Sequence, residues 1–206
     1  VCDKKSPLFA TLTSRHSSSH RPGLLLPTNH FLMKKFIFSI AVVLITTGVT
    51  LAQNQYQVLV ERPNEKSLKG ILSREAITGD TTFKWYADAQ KIYTPYAAAV
   101  DALQKNKDSV QLLVFMGTWC EDSHFVIPRL FKLTDAAGFS DNSISLIGVD
   151  RNKKTLSHLC EALNVTNVPT IIVMKKGKEL GRVVEYGKYG MFDKELGEIV
   201  NTAGSN

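Results

Sequence analysis

The chain is poor in cysteine, lacks a long apolar run and, past its first quarter, has almost no net charge. Its longest apolar stretch, Phe36 to about Val49, is about fourteen residues, against the roughly 20 that a membrane-spanning helix needs. That favours a cleaved leader over a permanent anchor, with uncleaved anchoring the alternative. Residues 1–52 hold six of the 25 Lys/Arg and one of the 19 Asp/Glu, so the remainder has 19 basic and 18 acidic residues. The apparent basicity belongs largely to the leader. Nucleic-acid recognition, which needs a concentrated basic surface, loses its main support, and Lys153-Lys154 and Lys175-Lys176 read as solvated loop ends. No internal repeat is visible. The 206 residues suit one or two domains.

What is present begins with export. Residues 1–32 are rich in Ser, His, Pro and Arg without helical or strand periodicity, and read as unstructured or untranslated. MKKFIFSIAVVLITTGVTLA, residues 33–52, has a basic start, an apolar middle and small residues at its end. This is the pattern of a signal peptide, implying a periplasmic or extracellular protein with no membrane span after cleavage. The pattern starts at Met33, an expected true start. Gln53, not a cysteine, directly follows the predicted cut, so nothing there accepts a lipid. Cys2 leaves with the leader, and Cys120 and Cys160 remain. Two cysteines in an oxidising space invite a structural disulfide, but the residues around each argue against one.

Hydrophobic periodicity places the elements. Tyr56, Val58 and Val60 alternate, and TPYAAAVDALQK predicts a helix with Thr94 as N-cap, Pro95 in first position and Tyr96, Ala99, Val100 and Leu103 on one face. Val110 to Met116 reads as a buried strand. A helix from about Cys120 to Ala137 follows, with Val126, Leu130 and Leu133 at helical spacing. SLIGV, residues 145–149, is a short strand. Residues 153–163 put Leu156, Leu159, Cys160 and Leu163 on one helical stripe. Strands over 170–174 and 182–186 flank KKGKELG, a loop suited to a hairpin, and residues 194–202 form a last helix. The order is βαβαββα.

Within that order, Trp119-Cys120 follows a buried strand at a helix start, Pro128 lies eight residues on, Asn167-Val168-Pro169-Thr170 precedes a strand and Lys176-Gly177-Lys178 forms a turn. Jointly these features resemble the thioredoxin family, including exported thioredoxin-like proteins of bacteria with a Trp-Cys-x-Asp-Ser site. The resemblance covers about residues 106–203. It implies an α/β thioredoxin-like fold: a central mixed sheet flanked by helices, with an N-terminal helical extension. The expected organisation is an extension over 53–105 and a thioredoxin-like domain over 106–206. Val168, Pro169 and Thr170 would hold the extended chain of a partner.

The residues also speak for Cys120 directly. At the first turn of a helix a thiolate faces unsatisfied N–H groups and the positive end of the dipole, which stabilise the anion. Ser123 is placed to donate a hydroxyl hydrogen bond to it, and His124 lies one turn along. Glu121 and Asp122 oppose the anion electrostatically. Trp119 is a core residue, a wall of the site, or both. His124 reads more simply as a surface helix residue than as a catalytic one, and Cys160 as a small buried hydrophobe.

Two departures from the family pattern narrow the chemistry. Ser123 stands where a dithiol protein has its resolving cysteine, and Val114 where the family has a buried aspartate thought to assist resolution. Both gaps fall in the same half-reaction. The expected function is thiol–disulfide exchange through the single nucleophile Cys120, with Trp119, Ser123 and His124 beside it, acting on protein or small-molecule thiols and disulfides. The alternative is a non-catalytic module that uses the same groove to bind extended peptides. One cysteine and one nearby histidine fall short of a usual metal ligand set, and no cofactor is expected.

Overall fold

In the computed structural model, residues 55–63 and 65–205 are described; the proposed leader and the stretch before it lie outside them. Strands β1 (Tyr56–Arg62) and β2 (Glu65–Leu72) are followed by helices α1 (Arg74–Thr78), α2 (Trp85–Lys91) and α3 (Ala97–Asn106). Then come β3 (Gln111–Met116), α4 (Glu121–Ala136), β4 (Ile144–Gly148), α5 (Leu159–Ala162), β5 (Thr170–Lys175), β6 (Lys178–Val184) and α6 (Phe192–Thr202). From β3 onward this is the expected βαβαββα order. The six strands form one mixed sheet in the order β1-β2-β4-β3-β5-β6. Only β3 and β4 pair in parallel.

Side-chain alternation along β3 divides the interior. Leu112, Val114 and Met116 point into a core shared with Val126, Ile127, Leu130 and Leu133 of α4, Leu103 of α3 and Leu196 of α6. Phe115 points the other way, into a smaller cluster with Ile147, Val149, Cys160, Val165, Val168 and Ile172. Burial of both faces accounts for the nearly unbroken apolar run of β3. Gly197 of α6 lies where a Cβ would meet the Ala99 Cα at 2.8 Å, so these two small residues let α3 and α6 approach closely.

Several elements differ from expectation. Residues 55–105 contribute a hairpin as well as helices, and β2 extends the sheet by pairing with β4. Helix α3 begins after Tyr96, not Thr94, because the Asp193 carboxylate accepts from the Tyr96 N–H (3.1 Å) and the Tyr93 hydroxyl (2.7 Å). A partner distant in sequence sets that start. The single amphipathic helix expected over 153–163 is instead a short turn at Leu156–His158, with Ser157 and His158 in the left-handed region, followed by the four-residue α5. Asp150 organises the preceding loop, accepting from the Asn152 and Lys154 N–H groups and from Lys69 Nζ. The β5–β6 turn is just Lys176-Gly177, both at positive φ, the geometry of a two-residue hairpin. That tightness lets β6 begin at Lys178. Among the described residues, no helix is long and apolar enough to cross a membrane.

Candidate functional site

The site is built on the loop Gly117-Thr118-Trp119-Cys120, between β3 and α4. The Cys120 N–H donates to the Gly117 carbonyl at 3.0 Å, closing a tight turn. The Trp119 ring folds over Gly117 so closely that a Cβ there would sit 2.6 Å from it; glycine is required for proximity. The indole N–H donates to the Val149 carbonyl at 2.9 Å. Above the ring, 5.1 Å away, lies the Arg151 guanidinium, which Glu65 of β2 holds through a Nε–Oε1 bond of 2.9 Å. Trp119 is therefore both packed and part of the site wall.

Cys120 is the N-cap of α4, half-buried and free. Its thiol donates to the Val168 carbonyl at 3.3 Å, so the nucleophile candidate and the chain before Pro169 meet although 48 residues separate them. The Val168–Pro169 peptide is cis, and the Pro169 carbonyl accepts from the Glu185 N–H at 2.7 Å. Thr170 is buried and its hydroxyl donates to the Asn167 carbonyl, also at 2.7 Å. Of the expected partner-binding residues, Val168 presents its backbone to the sulfur. Thr170 is occupied with its own loop.

Ser123 and His124 are arranged differently from expectation. Ser123 is fully buried and its oxygen accepts from the Gly117 N–H at 3.2 Å. This bond ties the first turn of α4 to the end of β3. His124 is not a plain surface residue: Nε2 lies 2.7 Å from the Thr118 carbonyl, which can only accept, so this nitrogen carries a proton. The ring stacks on Trp85, with centroids 4.1 Å apart and 15° between planes. Burial lowers the imidazole pKa, partly opposed by the Thr118 bond. The neutral form with Nδ1 unprotonated is favoured.

Two groups that surround the site were not legible from spacing. The segment before β3 reaches it through Trp85 and through β2, where the Leu68 N–H donates to the Thr118 hydroxyl oxygen at 3.0 Å and that hydroxyl donates to the Lys66 carbonyl at 3.3 Å. On the other side, the Tyr186 hydroxyl donates to Asp122 at 2.6 Å, and its ring meets Phe125 edge-on at 5.1 Å. The bond to Asp122 pushes the Tyr186 phenol up to about 12. Only the aromatic character of Tyr186 and Phe125 could have hinted at this rim. Cys160 lies in the smaller core cluster, 2% exposed and free, and burial pushes its thiol up to about 11. Among the described residues, no three His, Cys, Asp or Glu side chains cluster as a metal site.

A family model described as Thioredoxin matches residues 91–196. A thioredoxin of Chlamydia pneumoniae is 34% identical over 91 residues, covering 44% of this chain and 78% of its own. A thioredoxin of Mycobacterium bovis is 28% identical over 107 residues, 52% of this chain and 86% of its own. Thioredoxin H2 of Arabidopsis thaliana is 31% identical over 80 residues, 38% of this chain; the match spans only 56% of the plant protein's length.

Proposed function

The chain belongs to the thioredoxin family, and from that premise we propose that it is a monothiol exchange protein with Cys120 as nucleophile. Thiol–disulfide exchange is the chemistry of the family; a one-thiol version of it is our reading of this chain. The observation that carries it is the pairing of a half-buried Cys120 at the α4 N-cap with a buried Ser123 where a second thiol would stand.

The Cys120 thiolate attacks one sulfur of a partner disulfide, forming a new S–S bond and releasing the other sulfur as thiolate. The thiol proton passes to solvent. Ser123 has no sulfur with which to break the adduct, so an external thiolate attacks it, becomes disulfide-linked to the partner and returns Cys120 to thiolate. Reduction and oxidation balance between the external thiol and the partner. During the adduct the Val168 carbonyl, freed from the thiol, accepts a backbone N–H of the partner. His124 and Trp119 hold the loop that carries the sulfur. The leader pattern over residues 33–52 supports an exported, oxidising setting for this chemistry.

The test is incubation with a protein disulfide such as insulin's, followed by non-reducing intact mass. A stable adduct at Cys120, released by added glutathione and absent in Cys120→Ser, supports the reading. Catalytic turnover without an added thiol, or full activity in Cys120→Ser, refutes it, and peptide binding without any adduct would favour the non-catalytic module.

A further inference from the structure

Beside α4 lies an open groove of ≈ 390 Å³ between the start of α3, α4 and the start of α6. Its lining is aromatic, with Tyr93, Tyr96, Phe125 and Phe192. Among the described residues Phe125, Tyr96 and Met191 are large apolar side chains left 39–45% exposed, and all three line this groove. Arg129 also lines it and is only 7% exposed.

Arg129 is an unusual cation. One guanidinium nitrogen donates to the Phe125 carbonyl at 2.6 Å, and its Cζ lies 3.6 Å from the centroid of the Phe125 ring. Among the described residues no carboxylate pairs with it, and burial lowers its pKa. A buried charge ordinarily acquires a counter-ion, because desolvation otherwise goes uncompensated. The groove does hold one carboxylate, Asp193, but that is committed elsewhere: it accepts from the Tyr93 hydroxyl and from the N–H groups of Tyr96 and Lys194. The groove therefore presents ring surface and an arginine fork without its acid.

The groove runs along the helix whose N-cap is the thiol residue. Asp122, Phe125 and Arg129 follow one face of α4 at i, i+3 and i+7, and Tyr186 bridges the first two. Arg129 lies nine positions past Cys120, about 13 Å along the axis and about half a turn round the helix. An extended chain at about 3.3 Å per residue covers the axial rise in about four residues.

We propose that this groove docks an extended segment of the disulfide partner protein, which places a carboxylate on Arg129 and an apolar side chain against Phe125 about four residues from the partner's reacting cysteine. The partner class is a protein whose target cysteine has an acidic and aromatic neighbourhood. This rests on the exchange reading above, and the test separates the two.

The probe is the peptide Cys-Gly-Phe-Ser-Glu and its reverse, in which Phe and Glu lie two apart and share one face of an extended chain, each activated as a mixed disulfide with 2-thiopyridine, beside versions with Gln for Glu. Attack by the Cys120 thiolate joins peptide to protein and releases thiopyridone, read by absorbance. In one chain direction the Glu peptide should react roughly tenfold faster than its Gln twin, the scale of a charge-assisted hydrogen bond. The Glu/Gln ratio, taken within each protein, should fall to near one in Arg129→Gln. Equal rates for Glu and Gln peptides on the natural protein, in both directions, overturn the docking site while leaving exchange intact. If no thiopyridone is released, exchange fails and fluorescence anisotropy with Ser-for-Cys peptides decides the groove: tighter binding of Glu than Gln supports it, and equal binding overturns it. Should Arg129→Gln not fold, Phe125→Ala, at an exposed position, replaces it. Removing the Phe of the peptide should then cost rate on the natural protein and nothing on Phe125→Ala; an equal cost on both overturns the proposal.

Discussion

The Trp85 indole lies flat on the His124 imidazole, 4.1 Å between centroids, so helix α2 covers a residue four positions past the candidate nucleophile. Covering desolvates the ring and favours its neutral form. Trp85→Ala should therefore raise the His124 pKa toward its ordinary value of 6.5, measurable by NMR titration of the ring protons. No movement would mean that Trp85 does not control this histidine.

The same shift has a sign in stability. An imidazole that titrates lower in the folded than in the unfolded protein makes the unfolded state bind more protons as pH falls below 6.5. Stability should be fully present above that value and decline below it, toward the lowered folded pKa. His124→Asn should flatten this part of the curve in denaturant melts at a series of pH values between about 7 and 5.

The two thiols should part company on alkylation. Iodoacetamide near neutral pH should label Cys120 and spare Cys160, because Cys160 is 2% exposed and its thiol is pushed up to about 11. Peptide mapping locates the label, and denaturant should make the second site available. A Cys120–Cys160 linked peptide after mild oxidation would contradict the packing of Cys160 against Ile147 and Val168.

Gly117→Ala should expel the Trp119 ring from its seat, since the added Cβ would lie 2.6 Å from it. Overpacking of this kind costs about 1–3 kcal/mol. A lower melting temperature should come with altered tryptophan fluorescence and slower adduct formation, and unchanged fluorescence would show that the loop adapts without moving the ring.

Ser123→Cys should create a dithiol that turns over insulin in the presence of dithiothreitol, but slowly near neutral pH. The new thiol replaces a buried hydroxyl bonded to Gly117, and Val114, fully buried opposite Leu146 and Ile171, offers no group to take its proton. Val114→Asp with Ser123→Cys should be faster at neutral pH than Ser123→Cys alone, at a stability cost of about 3 kcal/mol. Equal rates would remove the argument from the missing acid.

Periodicity alone predicted β3, α4 and the overall order from residue 110 onward, because those segments bury regular faces and local pattern reports burial directly. The quartet Trp119, Cys120, Val168 and Pro169 was likewise legible as motifs at a strand end and before a strand. Where a chain segment is governed by distant partners, the local pattern misled. Asp193 holds the N-cap Tyr96 so that α3 starts at Ala97, and the stripe around Cys160 forms a single turn after the loop that Asp150 organises. Ser123 had the spacing to face the sulfur, yet its hydroxyl bonds to the Gly117 N–H at the end of β3. The cover that Trp85 and β2 give the site, and the groove around Arg129, exist only after folding. Composition and spacing specify which faces are apolar, whereas contacts across tens of residues depend on which of those faces meet, and only the tertiary structure decides that.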